Sequence, residues 1–518
     1  MANKSVFASG RGRMIPKADA LNKEGAPAYA YADQHLLAQL AMTGTISDLY
    51  YQQAEVELEA ILDTASNVTP EFLAKTAIYV REKGHMKDMP ALLLAILASR
   101  DTELFSNTFP RVVTNGKMLR NFVQIMRSGQ TGRKSLGTRP KALVSGWLKT
   151  ATDRQLLQAS VGNSPSLSDV IKMVHPKPGD KAREAFFAWL IGKPCDLEKL
   201  PKEVREYIAY KENEGGPLPD VPFQMLTHLP LTAKKWAKIA RSGSWQMVRM
   251  NLNTFQRQGA FSIKGVTKDV AEILRDPKRI KKARVFPYQL MTVYQSLSAD
   301  IPVEIRDALH DAMEIAVANV PKIKGQVIIC PDVSGSMLSP VTGYRKGATT
   351  STRFVHVAAL VSAAFLRRNR GATVLPFEFK VCKTQLEARD TVLTNAQRLT
   401  DLAGGGTNCS APLEWLLARK QTPDLVIFVS DNESWADTNR YGRGTMMMRN
   451  WEKLKKRNPK AKLVCIDIAP YGTTQVPSRS DVLNIGGFSD AVFDQIAAFA
   501  EDRLGADHWV GEIEGMKL

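Results

Sequence analysis

At 518 residues, with 44% hydrophobic and 8% aromatic content, the chain is long enough for more than one globular domain and too ordinary in composition for a fibrous or low-complexity protein. The formal net charge of +18 is not ordinary, and it points to a polyanionic partner, either nucleic acid or an anionic membrane surface. Five cysteines (Cys195, Cys330, Cys382, Cys409, Cys465), none in a C-x-x-C pair, argue against a zinc site or disulfide framework and fit a cytoplasmic protein.

Lys4, Arg11 and Arg13 precede the first acid, Asp19, and the N-terminus lacks the apolar run of a signal peptide. Residues 1–30 therefore read as a flexible basic arm, in preference to a transit peptide. Beyond them, apolar residues recur at three- and four-residue spacing over Tyr50–Thr64, Pro70–Lys83 and Ala91–Ser99, which predicts short amphipathic helices. From Leu104 to Thr152 there is no acidic residue, while Arg111, Lys117, Arg120, Arg127, Arg133, Lys134, Arg139, Lys141 and Lys149 fall in the same window. A solvated helical face mixes signs. This stretch does not, so it predicts phosphate contacts, with Arg120, Arg127, Arg133, Lys134, Arg139 and Lys141 as candidate nucleic-acid ligands.

Helical windows continue at Ala182–Leu190, Ala233–Arg241 and Val303–Val317, and the Gly- and Pro-rich stretch Asn213–Asp220 reads as an insertion. A second basic cluster, Lys278 to Arg284, adds Lys281 and Arg284 to the candidates. Some three hundred residues of consecutive short helices predict a stack of helix pairs, as in α-solenoids, with no exact repeat period. Pro321 ends the last helix, and the domain boundary is drawn across Asn319–Lys324.

The remainder alternates strands and helices, which predicts a doubly wound parallel sheet. The expected strands are Gln326–Cys330, Thr373–Phe379, Leu425–Ser430 and Lys462–Asp467, and the expected helices Thr352–Arg370, Pro412–Lys420 and Ala491–Glu501. The apolar run Val355–Leu366 is too short to cross a bilayer and is read as a buried helix, so no membrane association is expected. Directly after the first strand comes Asp332-Val333-Ser334-Gly335-Ser336; Thr407 follows Gly404-Gly405-Gly406, and Asp431 caps the strand Leu425–Ser430. Asp332, Ser334, Ser336, Thr407 and Asp431 form the signature of a metal-ion-dependent adhesion site, and the segment resembles a von Willebrand factor A (vWA) domain. Mg²⁺ or another divalent cation is the expected occupant, since two carboxylates and three hydroxyls make an oxygen-only ligand set. Such an ion keeps a coordination position for a partner's carboxylate.

Other motifs fail. Gly129-Gln130-Thr131-Gly132-Arg133-Lys134-Ser135 lacks both the spacing and the preceding strand of a phosphate-binding loop. Neither an H-E-x-x-H zinc helix nor a G-x-S-x-G elbow is present. His356 is read as a packed core histidine. A metal-dependent nuclease would need a second carboxylate cluster for two-metal chemistry, so the chain is read as a binding protein rather than an enzyme.

A basic helical half joined to a vWA domain resembles the Ro autoantigen family, whose helical region is the TROVE module. Lys281-Lys282-Ala283-Arg284-Val285-Phe286-Pro287-Tyr288 is similar to the family's K-K-A-R-I-H-P-F, Leu229 to Ala233 to its M-P-L-T-A, and Val429 to Glu433 to its F-T-D-N-E. The resemblance implies three segments: the arm at 1–30, a TROVE domain of HEAT-like helical repeats closed into a ring over 31–320, and the vWA domain over 321–518. It also implies RNA as the polyanion: the single-stranded 3′ ends of misfolded noncoding RNA in the basic hole of the ring, Y-like RNA outside, and possible tethering through RNA to an exoribonuclease. The family's outer motif, S-H-K-D-L-L-R-x-S-H-x-K-P, is similar to Ser166–Pro178, which marks Lys172, His175 and Lys177 as RNA-binding candidates. Leu167 and Ser168 depart from it, and Lys172 replaces an arginine fork with a point charge. The expected function is a monomeric ribonucleoprotein component acting in RNA quality control or as an RNA-tethered adaptor. The alternative is a protein-binding adaptor that uses the metal site to grip a partner's carboxylate.

Overall fold

Caps set the helices of the N-terminal half. The computed structural model describes residues 15–213, 216–283, 287–317, 320–344, 352–436, 444–469, 471–487, 490–504 and 508–518. Thr69 accepts from the Phe72 N–H to open helix Pro70–Glu82, Asp101 from Glu103 and Leu104 to open Thr102–Val112, and Asn115 from Met118 to open Gly116–Ser128. Side-chain caps of this kind satisfy N–H groups that a helix start leaves unpaired. The predicted windows at 91–99, 182–190, 233–241 and 303–317 become helices Asp88–Arg100, Lys181–Leu190, Ala233–Ser242 and Val303–Ala316. The first window shifts to Ala54–Asn67, because residues 49–52 form a bend closed by the Leu49 N–H donating to Gln52 O. Helices Pro70–Glu82, Asp88–Arg100 and Thr102–Val112 pack on one another, with Phe105, Phe109 and Phe122 meeting at ring separations of 5.4–5.9 Å. Among the described residues no helix is long and apolar enough to cross a membrane.

The C-terminal sheet is parallel, in the order β4 (Thr373–Val374), β3 (Val327–Pro331), β5 (Leu425–Ser430), β6 (Lys462–Asp467), β8 (Val482–Gly486). β3 and β5 are fully buried, as strands covered on both faces must be. The chain leaves β3 for β4 on one side and returns to β5 on the other, so the carboxyl ends of β3 and β5 form a topological switch point, where such sheets bind ligands. The predicted strand Thr373–Phe379 is shorter in the structure. Leu375 and Phe377 still donate to Ile329 O and Pro331 O at 2.8 and 3.1 Å, but Pro376 has no N–H, and the chain then folds back with Phe377 opposite Val381.

Contacts divide the chain differently from the expected 31–320 and 321–518. One compact unit takes the residues through Asn67 together with 280–296 and 309–515; the other takes 68–279, 297–308 and 516–518. The physical reason lies at the N-terminus. β1 (Ala20–Leu21) and β2 (Pro27–Ala30) form an antiparallel ribbon that β7 (Thr473–Thr474) extends, with Tyr29 opposite Thr474. Helix Asp33–Thr43 packs on β8 and on helix His508–Glu514. Part of the expected basic arm is thus strand, built into the vWA unit. Arg284, Asn319 and residues 1–14 lie outside the described residues.

Candidate metal centre and nucleic-acid interface

Asp332 and Asp431 stand just past the ends of β3 and β5, one on each side of the switch point. Asp332 is held from two directions: Oδ1 accepts the Ser334 N–H at 2.8 Å, and Oδ2 accepts the Ser430 hydroxyl at 2.6 Å. Ser334 Oγ and Ser336 Oγ are 3.3 Å apart, and Ser336 also hydrogen-bonds Asp431. The glycine loop is stitched to this cluster by Gly404 N–H to Val333 O at 2.8 Å and Gly335 N–H to Gly405 O at 2.9 Å. Thr407 is fixed in turn by its carbonyl, which accepts the Trp435 N–H at 3.1 Å. Gly404 and Gly405 adopt φ of 156° and 75°, and a Cβ on Gly405 would strike the Glu378 carboxylate, so only glycine lets this loop pass. All five predicted ligands are buried and gather at one end of the sheet.

The cluster gathers buried acids that face one another. Burial and then Asp431 push the Asp332 carboxyl up, and burial pushes Asp431 up as well. Behind them Glu433 is raised to about 9 by burial and by Asp431, and burial raises Asp467 far above its usual range. Four buried acids repel one another. Burying charge without a counter-charge is costly, and a cation between Asp332 and Asp431 would relieve it. The donors are hard oxygens, which suit Mg²⁺ better than zinc. Among the described residues no group of three or more His, Cys, Asp or Glu forms a denser metal cluster.

Sequence reasoning assigned no role to Ser430, Glu433, Asp467 or the N-terminal residues that hold them. Glu433 Oε2 accepts the Lys23 N–H at 2.6 Å, the Asn22 amide donates to Ser434 O at 2.6 Å, and the buried Gln39 amide donates to Asp467 Oδ2 at 2.7 Å. Tyr51 hydrogen-bonds Glu24 and packs edge-on against Tyr471. Glu433 was within reach, since it directly follows Asp431 in a matched motif; the N-terminal partners carry no local signal. His356 is a core histidine as expected, its Nδ1 accepting the Arg353 N–H at 3.1 Å.

The basic candidates separate into two groups. Arg127, Lys134 and Lys141 converge on a cavity of about 520 Å³ that also receives Ser135, Thr138 and Met173. Arg133 approaches the same turn at Gly137, whereas the exposed Arg139 donates from Nε to Ser106 Oγ at 2.7 Å. The failed phosphate-loop motif thus supplies Lys134 and Ser135 to a cationic cavity built without that loop. Arg120 corrects the expectation of a surface cation. It is buried, and its guanidinium donates to Val161 O at 2.7 Å and to Pro165 O at 3.4 Å, so its first role is to satisfy buried carbonyls. Its edge lines a second cavity, of about 930 Å³, with Lys117, Arg154, Lys238 and Phe223.

The outer motif forms helix Leu167–Val174. Ser166 and Asp169 close a reciprocal capping box, and His175 ends the helix in the left-handed region at φ 50°. Leu167 is buried in the core, which explains an apolar residue there in packing terms. Lys172, His175 and Lys177 are exposed, and Met173 reaches the cavity of Arg127, Lys134 and Lys141. Lys281 is exposed on helix Pro277–Ala283.

Comparison with known proteins gives consistent results. Residues 326–500 match the family described as the Ro60 vWA domain. The chain is 24% identical over 524 aligned residues to a Deinococcus radiodurans protein named RNA-binding protein RO60, covering 93% of this chain and 95% of that one. A Caenorhabditis elegans protein of the same name is 25% identical over 282 residues, half of this chain and 40% of its own length. The crystal structure of the Deinococcus radiodurans RO (RSR) protein superposes with a TM-score of 0.60 at 20% identity, covering 91% of this chain and 100% of that one. A helical N-terminal region followed by a parallel vWA sheet is therefore a shared fold.

Proposed function

We infer that this chain, which belongs to the Ro family and is of its bacterial kind, is an RNA-binding protein that takes structured small noncoding RNA on its basic helices. The observation that carries this reading is a cationic cavity in the acid-free window, closed at its edge by the outer helix. The acid-free window and the outer helix meet at the cavity of Arg127, Lys134, Lys141 and Met173, with Lys172 one residue away on the same helix. Three cations around one hollow suit a phosphate, and each phosphate bound releases counterions. The names of the Deinococcus and nematode relatives support RNA as the polyanion. We propose that the RNA is Y-like or a misfolded transcript with a free 3′ end, and that the protein acts as a monomer in cytoplasmic RNA quality control, with an exoribonuclease as a candidate partner tethered through RNA. We read it as a binding protein and not an enzyme.

The test is a gel shift against a structured small RNA with a single-stranded 3′ end, over a range of salt. A Lys134→Ala/Lys141→Ala variant should bind more weakly and lower the salt slope by about 0.7–0.9 for each phosphate that is no longer neutralised. An unchanged slope would remove these residues from the interface.

A second reading concerns the other unit. Asp332, Ser334, Ser336, Thr407 and Asp431 fit a divalent cation, Mg²⁺ by their chemistry, and the buried, mutually repelling Asp332 and Asp431 favour it. The ion would supply a coordination position that attracts an outside carboxylate. Asp332 and Asp431 would hold it, and the Ser430 hydroxyl would keep Asp332 oriented.

A further inference from the structure

The vWA segment carries its own concentration of positive charge. Residues 449–462 hold seven Lys and Arg and one acid, Glu452; without them, residues 321–518 contain equal numbers of cations and acids. The run covers the end of helix Met446–Arg457 and the turn into β6. It therefore stands at the amino ends of β6 and β8, at the opposite end of the sheet from Asp332 and Asp431. There it lines a cavity of about 680 Å³.

Three cations of that cavity are committed to the fold. Lys455 Nζ donates to Pro459 O and, at 2.9 Å, to Ala461 O, and Lys462 Nζ donates to Phe499 O at 2.6 Å. Arg479 pairs with Glu452 and Asp481, and Lys462 with Asp502 at 2.6 Å, so every acid of the cavity is taken. Lys456 and Lys460 stand exposed at the rim, with no ion pair among the described residues. Beyond the rim Lys453 and Arg457 are exposed, and Arg457 donates to Leu417 O at 2.8 Å, which brings the exposed Arg419 and Lys420 alongside. The exposed acids on this side already hold donors: Glu501 pairs with Arg503, Asp424 accepts the Gln326 N–H, and Glu414 accepts the Ser410 hydroxyl. Cations in the last turn of a helix favour its dipole, but Lys460 lies past the helix and Lys453 before its last turn.

We propose that this end of the vWA sheet is a second RNA-binding surface, which takes the phosphodiester backbone through Lys456 and Lys460. The inference rests on the RNA reading of the helical unit for the identity of the polyanion, and adds a site for it on the other unit. The lining favours a nucleic-acid backbone over an acidic protein. Its only apolar residues are Pro459 and Ala461, so it offers no aromatic anchor for a protein partner and no ring on which a base could stack. Phosphate contacts need cations alone, and they position a strand without reading its sequence. The neutralised floor of Lys455, Lys462 and Arg479 fixes the turn that presents the two free lysines.

The experiment acetylates the lysines of the full-length protein with an activated ester, with and without a structured small RNA that has a single-stranded 3′ end, and maps the products by mass spectrometry. The expected result is that RNA protects Lys456 and Lys460 as well as Lys134 and Lys141. Lys456→Gln/Lys460→Gln should keep the wild-type melting temperature and lower the salt slope of RNA binding by about 0.7–0.9 for each phosphate lost. Protection of Lys134 and Lys141 alone, with a wild-type slope in the double variant, would overturn the second surface and leave the RNA reading of the helical unit standing. Protection at neither site would sink that reading and this inference with it. If polyglutamate protects Lys456 and Lys460 at lower concentration than the RNA does, the partner is an acidic protein and the proposal is overturned.

Discussion

Replacing Asp332 by Asn tests the candidate metal centre by the sign of its effect in two conditions. Asn keeps the oxygen that accepts the Ser334 N–H, and its amide can donate to the Ser430 hydroxyl, so the loop geometry survives. In the metal-free protein the substitution removes one of two facing buried charges. Burial and Asp431 raise the Asp332 carboxyl above its unfolded value, so the folded state holds the proton to higher pH than the unfolded state does. Stability is therefore present at acid pH and lost as pH rises through the neutral range, the reverse of a salt-bridged carboxylate. Asp332→Asn should escape that loss. At pH 8 in EDTA it should be more stable than wild type by about 1–3 kcal/mol, and the difference should vanish near pH 4. Mg²⁺ reverses the order. At a concentration a hundred times its dissociation constant, the ion adds about 2.7 kcal/mol to a protein that binds it only when folded. At about 2–4 °C per kcal/mol this moves the melting temperature of wild type up by roughly 5–10 °C and leaves the variant unmoved. Thermal melts of both proteins at pH 8, with EDTA and with Mg²⁺, check this. Equal Mg²⁺ shifts in the two proteins would refute the ligand assignment, and a variant less stable than wild type in EDTA would refute the charge argument.

Two further substitutions probe the helical unit. Arg120→Ala should destabilise by about 1–3 kcal/mol in urea melts, because Val161 O and Pro165 O lose a donor, and the salt slope of RNA binding should stay as in wild type. Ser166→Ala breaks the capping box and should cost about 0.5–2 kcal/mol in the same melts, again with no change in slope.

Strands Leu425–Ser430 and Lys462–Asp467 match their predicted limits because buried parallel strands read as unbroken apolar runs. The five candidate metal ligands were legible as a cluster for a related reason: each sits at a strand end or a glycine loop, and local chemistry marks both. Thr373–Phe379 was overread because its apolar residues alternate like a strand, while the single imide at Pro376 ends regular pairing. The basic window was visible as composition, but composition does not say which cations point outward. Arg120 and Arg127 are two turns apart on helix Gly116–Ser128, one buried against carbonyls and the other open to a cavity. The unit boundary was out of reach, since it rests on bonds such as Lys23 to Glu433 and Gln39 to Asp467, between segments that show no mutual pattern in sequence.

Those same bonds order events in time. Lys23 and Glu433 are 410 residues apart, so at 5–20 residues per second a ribosome needs roughly 20–80 s to deliver the second partner after the first. Through that interval the β1–β2 ribbon has an open edge, where β7 will pair, and helix Asp33–Thr43 has no β8 to cover. Translation delivers the N-terminal segment among the first parts of the chain, yet it can settle only among the last.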